Sequence, residues 1–343
     1  MSSAYDEVRH EVNIDLAACI IQVEDCPGSS RRAACRSGLG QLQRKSVRRL
    51  NFLNIIPPRM TSDSQQDRRQ DLTGLTAVVT GSSSGIGRAI ALELAAAGAS
   101  VLVHGRGNAA GAKSTADDIR RLGRESMSLL ADLGDEAESL TFAEAAWSWR
   151  GGVDIWVNNA GVDVLTGEAA RWSFERKLAA LWRVDVAATM RLSRLIGPRM
   201  RARNNTSAIV NIGWDQAETG MAGDSGEMFA ATKGAVIAFT RSLAYSLAPE
   251  VRVNCVSPGW IKTKWGDDAS EYWHKRAIGE SLRERWGTPE DVARAVRFLA
   301  SPAADFISGH VVPVNGGTRR SEAYPGSRAP GGTGTPTPDG RNF

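Results

Sequence analysis

Seven short apolar runs alternate along the chain with longer stretches in which apolar residues recur every three or four positions. The runs at 75–80, 99–104, 127–131, 153–158, 207–212, 251–256 and 310–314 read as strands, being rich in Val, Ile and Leu. The periodic stretches at 86–97, 109–122, 135–150, 170–203, 228–248 and 289–300 read as helices. Several strands are apolar throughout, which predicts burial of both their faces and hence a parallel sheet covered by helices. Strand–helix alternation with right-handed crossovers then predicts an α/β fold with a doubly wound sheet.

The first strand breaks at Gly81 and leads into a helical pattern, with Gly81, Gly85 and Gly87 spaced as G-x-x-x-G-x-G. Such a turn lets the backbone approach a pyrophosphate at the positive end of the following helix. Strand, turn and helix in that order predict a dinucleotide-binding Rossmann domain over 71–317, single, with helices on both faces. Residues 1–70 sustain no periodicity and are expected to be disordered, or an extension ahead of the real translation start. Residues 318–343, rich in Gly, Pro, Ser and Thr, are expected to form a flexible tail.

Composition narrows the classes. The chain is 42% hydrophobic and 23% charged with a net charge of +4, the balance of a soluble globular protein. No apolar run is long enough to span a membrane and no secretory signal pattern opens the chain, so a cytoplasmic location without membrane attachment is expected. Residues 28–59 hold eight Arg or Lys and no acid, but a solvated basic segment is a better reading than nucleic-acid binding. Cys19, Cys26 and Cys35 lack metal-ligand spacing, no metal is expected, and Cys255 reads as a core thiol.

The second strand ends in Gly105-Arg106. An acid here would grip a ribose 2′-hydroxyl, whereas arginine accommodates a 2′-phosphate, so NADP(H) is favoured and NAD(H) remains possible. Gly107 to Ser114 nearly spells an ATPase phosphate loop, but Ala112 stands where that loop needs glycine. Four tryptophans, Trp214, Trp260, Trp265 and Trp273, are candidates for an aromatic substrate mouth or for packing.

The glycine turn, Thr80-Gly81-Ser82-Ser83-Ser84-Gly85-Ile86-Gly87, resembles the T-G-x-x-x-G-I-G fingerprint of the short-chain dehydrogenase/reductase family. So do Asn158-Asn159-Ala160-Gly161, the Pro258-Gly259, Ile261 and Thr263 positions, and Asn315-Gly316-Gly317. The resemblance implies an oxidoreductase acting on a small carbonyl or alcohol, like 3-oxoacyl-carrier-protein reductases, and a homodimer or homotetramer. It implies that Gly81, Ser83, Gly85, Ile86, Gly87, Arg106, Asp132, Leu133, Asn159, Ala160, Gly161, Lys233, Pro258, Gly259, Ile261 and Thr263 line the cofactor. In the family a Tyr one turn before the lysine donates a proton, a Ser follows the fifth strand, and an Asn on an earlier helix holds a relay water. Here those positions align with Phe229, Trp214 and Asp185, while Lys233 is kept.

A family member without the hydroxyls needs another acid, or performs no chemistry. Losing a positioned proton donor costs roughly 10²–10⁴-fold in rate. Asp215 follows the serine position, and burial beside Trp214 would raise its pKa enough to donate. The alternative is a catalytically silent cofactor-binding sensor, scaffold or partner subunit. The apolar stripe Val236, Phe239, Leu243 and Leu247 faces either a partner or the sheet.

Overall fold

The computed structural model describes residues 71–203, 205 and 207–319. Seven strands, β1 (Thr76–Val79), β2 (Ser100–Gly105), β3 (Ser126–Leu130), β4 (Ile155–Asn158), β5 (Ser207–Ile212), β6 (Val251–Pro258) and β7 (Val311–Val314), form one sheet in the order β3-β2-β1-β4-β5-β6-β7. Every neighbouring pair is parallel. The order reverses between β1 and β4, and a doubly wound sheet opens its ligand crevice at that switch point, beyond the carboxyl ends of the strands.

Period-two alternation divides the core. Ala77, Val79, Val101, Val103, Ile155 and Val157 face one layer, made by helices α1 (Gly85–Ala96), α2 (Ala109–Arg121) and α9 (Pro289–Ala300). Val78, Leu102 and Trp156 face the other, made by α3 (Glu136–Ser148), α5 (Thr189–Ala202) and α6 (Asp224–Leu247). This is the expected fold, and Cys255 is a buried free thiol within it.

Two expectations need correction, and two points that the pattern left open are decided. The stretch 170–203 is not one α-helix: α4 (Phe174–Leu181), capped by Ser173, runs into a π-wound segment at Trp182–Ala188 and then α5. The helix expected from 228 starts four residues earlier, at Asp224. Between β6 and α9 the chain forms a single turn α7 (Lys264–Asp267) and a ten-residue helix α8 (Glu271–Glu280) that the sequence pattern did not announce. The stripe on α6 is spent at home: Val236, Leu243 and Leu247 are buried, and Phe239 packs with the two leucines against the sheet.

Thr318 and Arg319, the expected start of the tail, are tied to the body. Thr318 bridges Ser281, and the Arg319 amide donates to the Glu280 carbonyl. The expectations for 1–70 and for the rest of the tail fall outside the described residues. Among the described residues no helix is long and apolar enough to cross a membrane.

Candidate active site

The glycine turn is built against the end of β4. Thr80 Oγ1 accepts the amides of Asn159 and Ala160, at 2.9 and 3.0 Å, and Asn159 Nδ2 donates to the carbonyls of Thr80 and Gly81. Gly81 has φ of +64°, and a Cβ on it would lie 2.8 Å from Ala160 Cα. A Cβ on Gly87 would lie 2.2 Å from the Gly81 carbonyl oxygen. Only glycine fits either position. Helix α1 starts at Gly85 with no acid in its first turn and no side chain capping it, so its leading amides stay open to an anion.

His104, at the end of β2, was not singled out by sequence. Its Nδ1 accepts the Gly81 amide at 2.9 Å, and its Nε2 donates to the Ala131 carbonyl at 3.0 Å. The ring is therefore neutral with its proton on Nε2, and burial pulls its pKa down to about 4. The signal was a histidine directly after the aliphatic run Val101–Val103 in a strand buried along its whole length. Beyond it, Gly105 packs on Ser83 and the exposed Arg106 follows. Asp132 is half-buried after β3 and takes the Gly134 amide on Oδ1, while Leu133 is buried. Ala112 lies buried inside α2, so the phosphate-loop look-alike is part of a helix.

The second half of the site lies over β4 to β6. Lys233 Nζ, on α6, is 2.9 Å from Asp185 Oδ2 and 3.3 Å from the Ile212 carbonyl that ends β5. Asp185 sits in the π-wound segment, only 3% exposed, and its Oδ1 accepts the Val162 amide just past Gly161. One residue pair thus joins the ends of β4 and β5. Phe229, one helical turn before Lys233, packs edge-on against Trp214 with ring centroids 6.1 Å apart. It also faces an apolar group of Val164, Leu181 and Met228.

Asp215 opens the loop after β5. Its Oδ2 accepts a hydrogen bond from Asn315 Nδ2 at 3.1 Å, and a Cβ on Gly259 would lie 2.9 Å from that same oxygen. Its Oδ1 is buried without a hydrogen-bond partner. Burial pushes the carboxyl up to about 6, against the opposing pull of Asn315 and nearby backbone amides, and Glu280 adds a smaller upward push. Asp215 is therefore not a solvated loop residue, whereas Glu218, Asp224 and Glu227 are exposed. Pro258-Gly259, Ile261 and Thr263 lead from β6 into the excursion that carries α7 and α8.

The expected tryptophan mouth divides into two groups, with the Trp265 side chain outside the described residues. Trp214 stays with Phe229, while Trp260 packs on Trp273 and Trp286 and donates its Nε1 to Glu280. Arg276 lies over Trp260 and Trp273 and pairs with Glu280.

A glycine turn at a switch point, with open helix amides on one side and a buried Lys–Asp pair on the other, defines a dinucleotide-binding domain of the oxidoreductase kind. The comparisons agree. The family model described as enoyl-(acyl carrier protein) reductase matches residues 81–319. The 3-oxoacyl-[acyl-carrier-protein] reductase FabG of Aquifex aeolicus is 35% identical over 251 residues, 72% of this chain and 98% of that protein. A short-chain dehydrogenase from Burkholderia cenocepacia in complex with NADP is 31% identical with a TM-score of 0.65, covering 72% of this chain and 98% of that one. A 7α-hydroxysteroid dehydrogenase complexed with NADH and 7-oxo glycochenodeoxycholic acid is 31% identical with a TM-score of 0.67, covering 74% and 97%. The chain belongs to the short-chain dehydrogenase/reductase family of NAD(P)-dependent oxidoreductases.

Proposed function

We propose that the protein is an NADP(H)-binding oxidoreductase acting on a carbonyl or alcohol, with a proton donor that is not the family's tyrosine. The observation that carries this reading is a hydrogen-bonded glycine turn together with a Phe229–Trp214 ring contact at the positions that the family resemblance gives to the hydroxyls. The glycine turn is latched to Asn159, Ala160 and His104, while Phe229 and Trp214 stand where hydroxyls are expected. The residues fit the cofactor: open α1 amides for the pyrophosphate, Arg106 for a 2′-phosphate, Asp132 and Leu133 for the adenine, and Lys233 for the ribose near the nicotinamide. When bound, the nicotinamide supplies or accepts the hydride.

The chain has to orient the carbonyl and provide a proton. Asp215 is the candidate acid, since burial holds its carboxyl near 6 and leaves it partly protonated close to neutral pH. Turnover of NADPH with a panel of ketones and 3-oxoacyl thioesters tests the reading. Activity that disappears in Asp215→Asn with unchanged cofactor affinity supports it. Robust turnover that survives Asp215→Asn overturns the assignment of Asp215 and leaves water or substrate as the proton source.

The second reading is a catalytically silent cofactor binder, a sensor or partner subunit. It is favoured by one observation: Oδ1 of Asp215 is out of reach of solvent, Oδ2 is engaged by Asn315, and Lys233 is closed onto Asp185. Tight cofactor binding with no turnover on any carbonyl selects it. A homodimer or homotetramer accompanies either reading. The exposed aromatics Trp182, Tyr245, Phe298 and Phe306 support it. A monomer by light scattering at micromolar concentration would remove it.

A further inference from the structure

The doubly wound sheet divides a bound dinucleotide. A pyrophosphate would be held by the glycine turn after β1, and the adenosine half by residues at the ends of β2 and β3. The nicotinamide half would then be held by residues on the other side, at the ends of β4 and β5. The Lys233–Asp185 pair sits at those strand ends, tied to Val162 on one side and to Ile212 on the other. The pair is buried, with side chains 12% and 3% exposed, so water screens it weakly. A lysine held by a carboxylate at 2.9 Å presents nearly no net charge to what lies above it. The same lysine beside a neutral amide would present a full positive charge.

We infer that Asp185 sets the redox state of the cofactor this site prefers, by cancelling the charge of Lys233 and so allowing the cationic, oxidised nicotinamide to bind without electrostatic penalty. The oxidised ring carries one more positive charge than the reduced ring, and the rest of the cofactor is the same in both. A bare lysine would repel only the oxidised form. Selectivity therefore follows the net charge of the 185–233 pair. This inference rests on the proposed cofactor binding but on no catalytic step, and it holds for an active or a silent protein.

The test is the ratio of NADP⁺ to NADPH dissociation constants, measured by calorimetry at low and moderate salt. Contacts common to both forms cancel in that ratio. Asp185→Asn makes the pair positive and should weaken NADP⁺ relative to NADPH by about tenfold. Lys233→Met makes it negative and should shift the ratio the opposite way. Each single variant leaves a buried charge unpartnered, so the double variant, neutral again, is included and should return to the wild-type ratio. A ratio that stays constant across all four proteins overturns the inference. Failure of the wild-type protein to bind either form overturns the cofactor reading instead.

Discussion

The backbone amide of Gly81 donates to Nδ1 of His104, so the turn that would hold the pyrophosphate is latched to the second strand by a ring that must stay neutral. The folded pKa lies near 4, below the ordinary value of 6.5. Between those values the unfolded chain binds the proton and the folded chain does not. Stability from this group is therefore complete above pH 6.5 and falls as pH drops toward 4, by roughly 3 kcal/mol in total. Asp215 works in the opposite sense: its raised pKa makes the folded state the better proton binder between about 4 and 6. The wild-type curve alone mixes the two. The difference in urea-unfolding free energy between wild type and His104→Gln isolates the histidine. It should be large at pH 7 and shrink by about 3 kcal/mol by pH 4; a difference independent of pH would refute the latch.

Gly87→Ala sets two effects against each other. Alanine is the better helix former by about 1 kcal/mol. Its Cβ would lie 2.2 Å from the Gly81 carbonyl oxygen and 2.4 Å from Asn159 Nδ2, within a turn fixed by hydrogen bonds. Overpacking at such a site costs about 1–3 kcal/mol, so the steric effect wins. The variant should melt at lower temperature and lose cofactor affinity together. A higher melting temperature would show that the turn is looser than its hydrogen bonds imply.

How much of this was readable beforehand differs by element. Strands β1, β2, β4, β5 and β6 were readable because they are buried along their whole length, whereas the partly exposed β3 and β7 were readable as short runs rich in aliphatic residues. Helix α8 was missed because Glu-Tyr-Trp-His-Lys-Arg-Ala-Ile-Gly-Glu buries only Ala277 and shows no apolar stripe. The π-winding at Trp182–Ala188 was invisible to a 3.6-residue period. The α6 stripe could not say which surface it faced; the sheet decided that. The candidate site was half readable. Motifs nominated candidate cofactor residues one by one, but the Lys233–Asp185 contact spans two separate helical segments and three-dimensional closure alone reveals it. Asp215 gained its environment from Asn315, a hundred residues away in sequence.

Cofactor choice should rest on Arg106. It is exposed just past β2, directly after Gly105, which lies against Ser83 of the glycine turn. A charge-assisted contact to a phosphate is worth about 1.5–3 kcal/mol. Arg106→Ala should weaken NADPH by about tenfold or more while leaving NADH unchanged. Fluorescence titration of both cofactors checks this, and an equal loss for the two would mean that Arg106 has no part in the choice.

The proposed chemistry is tested by restoring the hydroxyls that the proposed donor positions, Phe229 and Trp214, lack. Phe229 and Trp214 pack on each other, so changing one leaves the other in place with altered packing. Phe229→Tyr alone brings a hydroxyl within one turn of Lys233, but on the proposed reading Trp214 would still fill the space where a small hydroxyl would orient a carbonyl. Trp214→Ser alone opens that space with no tyrosine to donate. Groups that act as one unit are strongly non-additive. The double variant should therefore exceed the product of the two single effects on kcat/KM for a simple ketone, with a gain of roughly 10²-fold or more over wild type if proton donation limits the rate. Asp185 adds a condition. Because it already pairs with Lys233, the lysine is less able to favour a tyrosinate, and the double variant should gain further from Asp185→Asn. Steady-state NADPH oxidation by wild type, both singles, the double and the triple variant decides. Strictly multiplicative effects with no gain in the triple variant would show that Phe229 and Trp214 do not occupy a common catalytic unit.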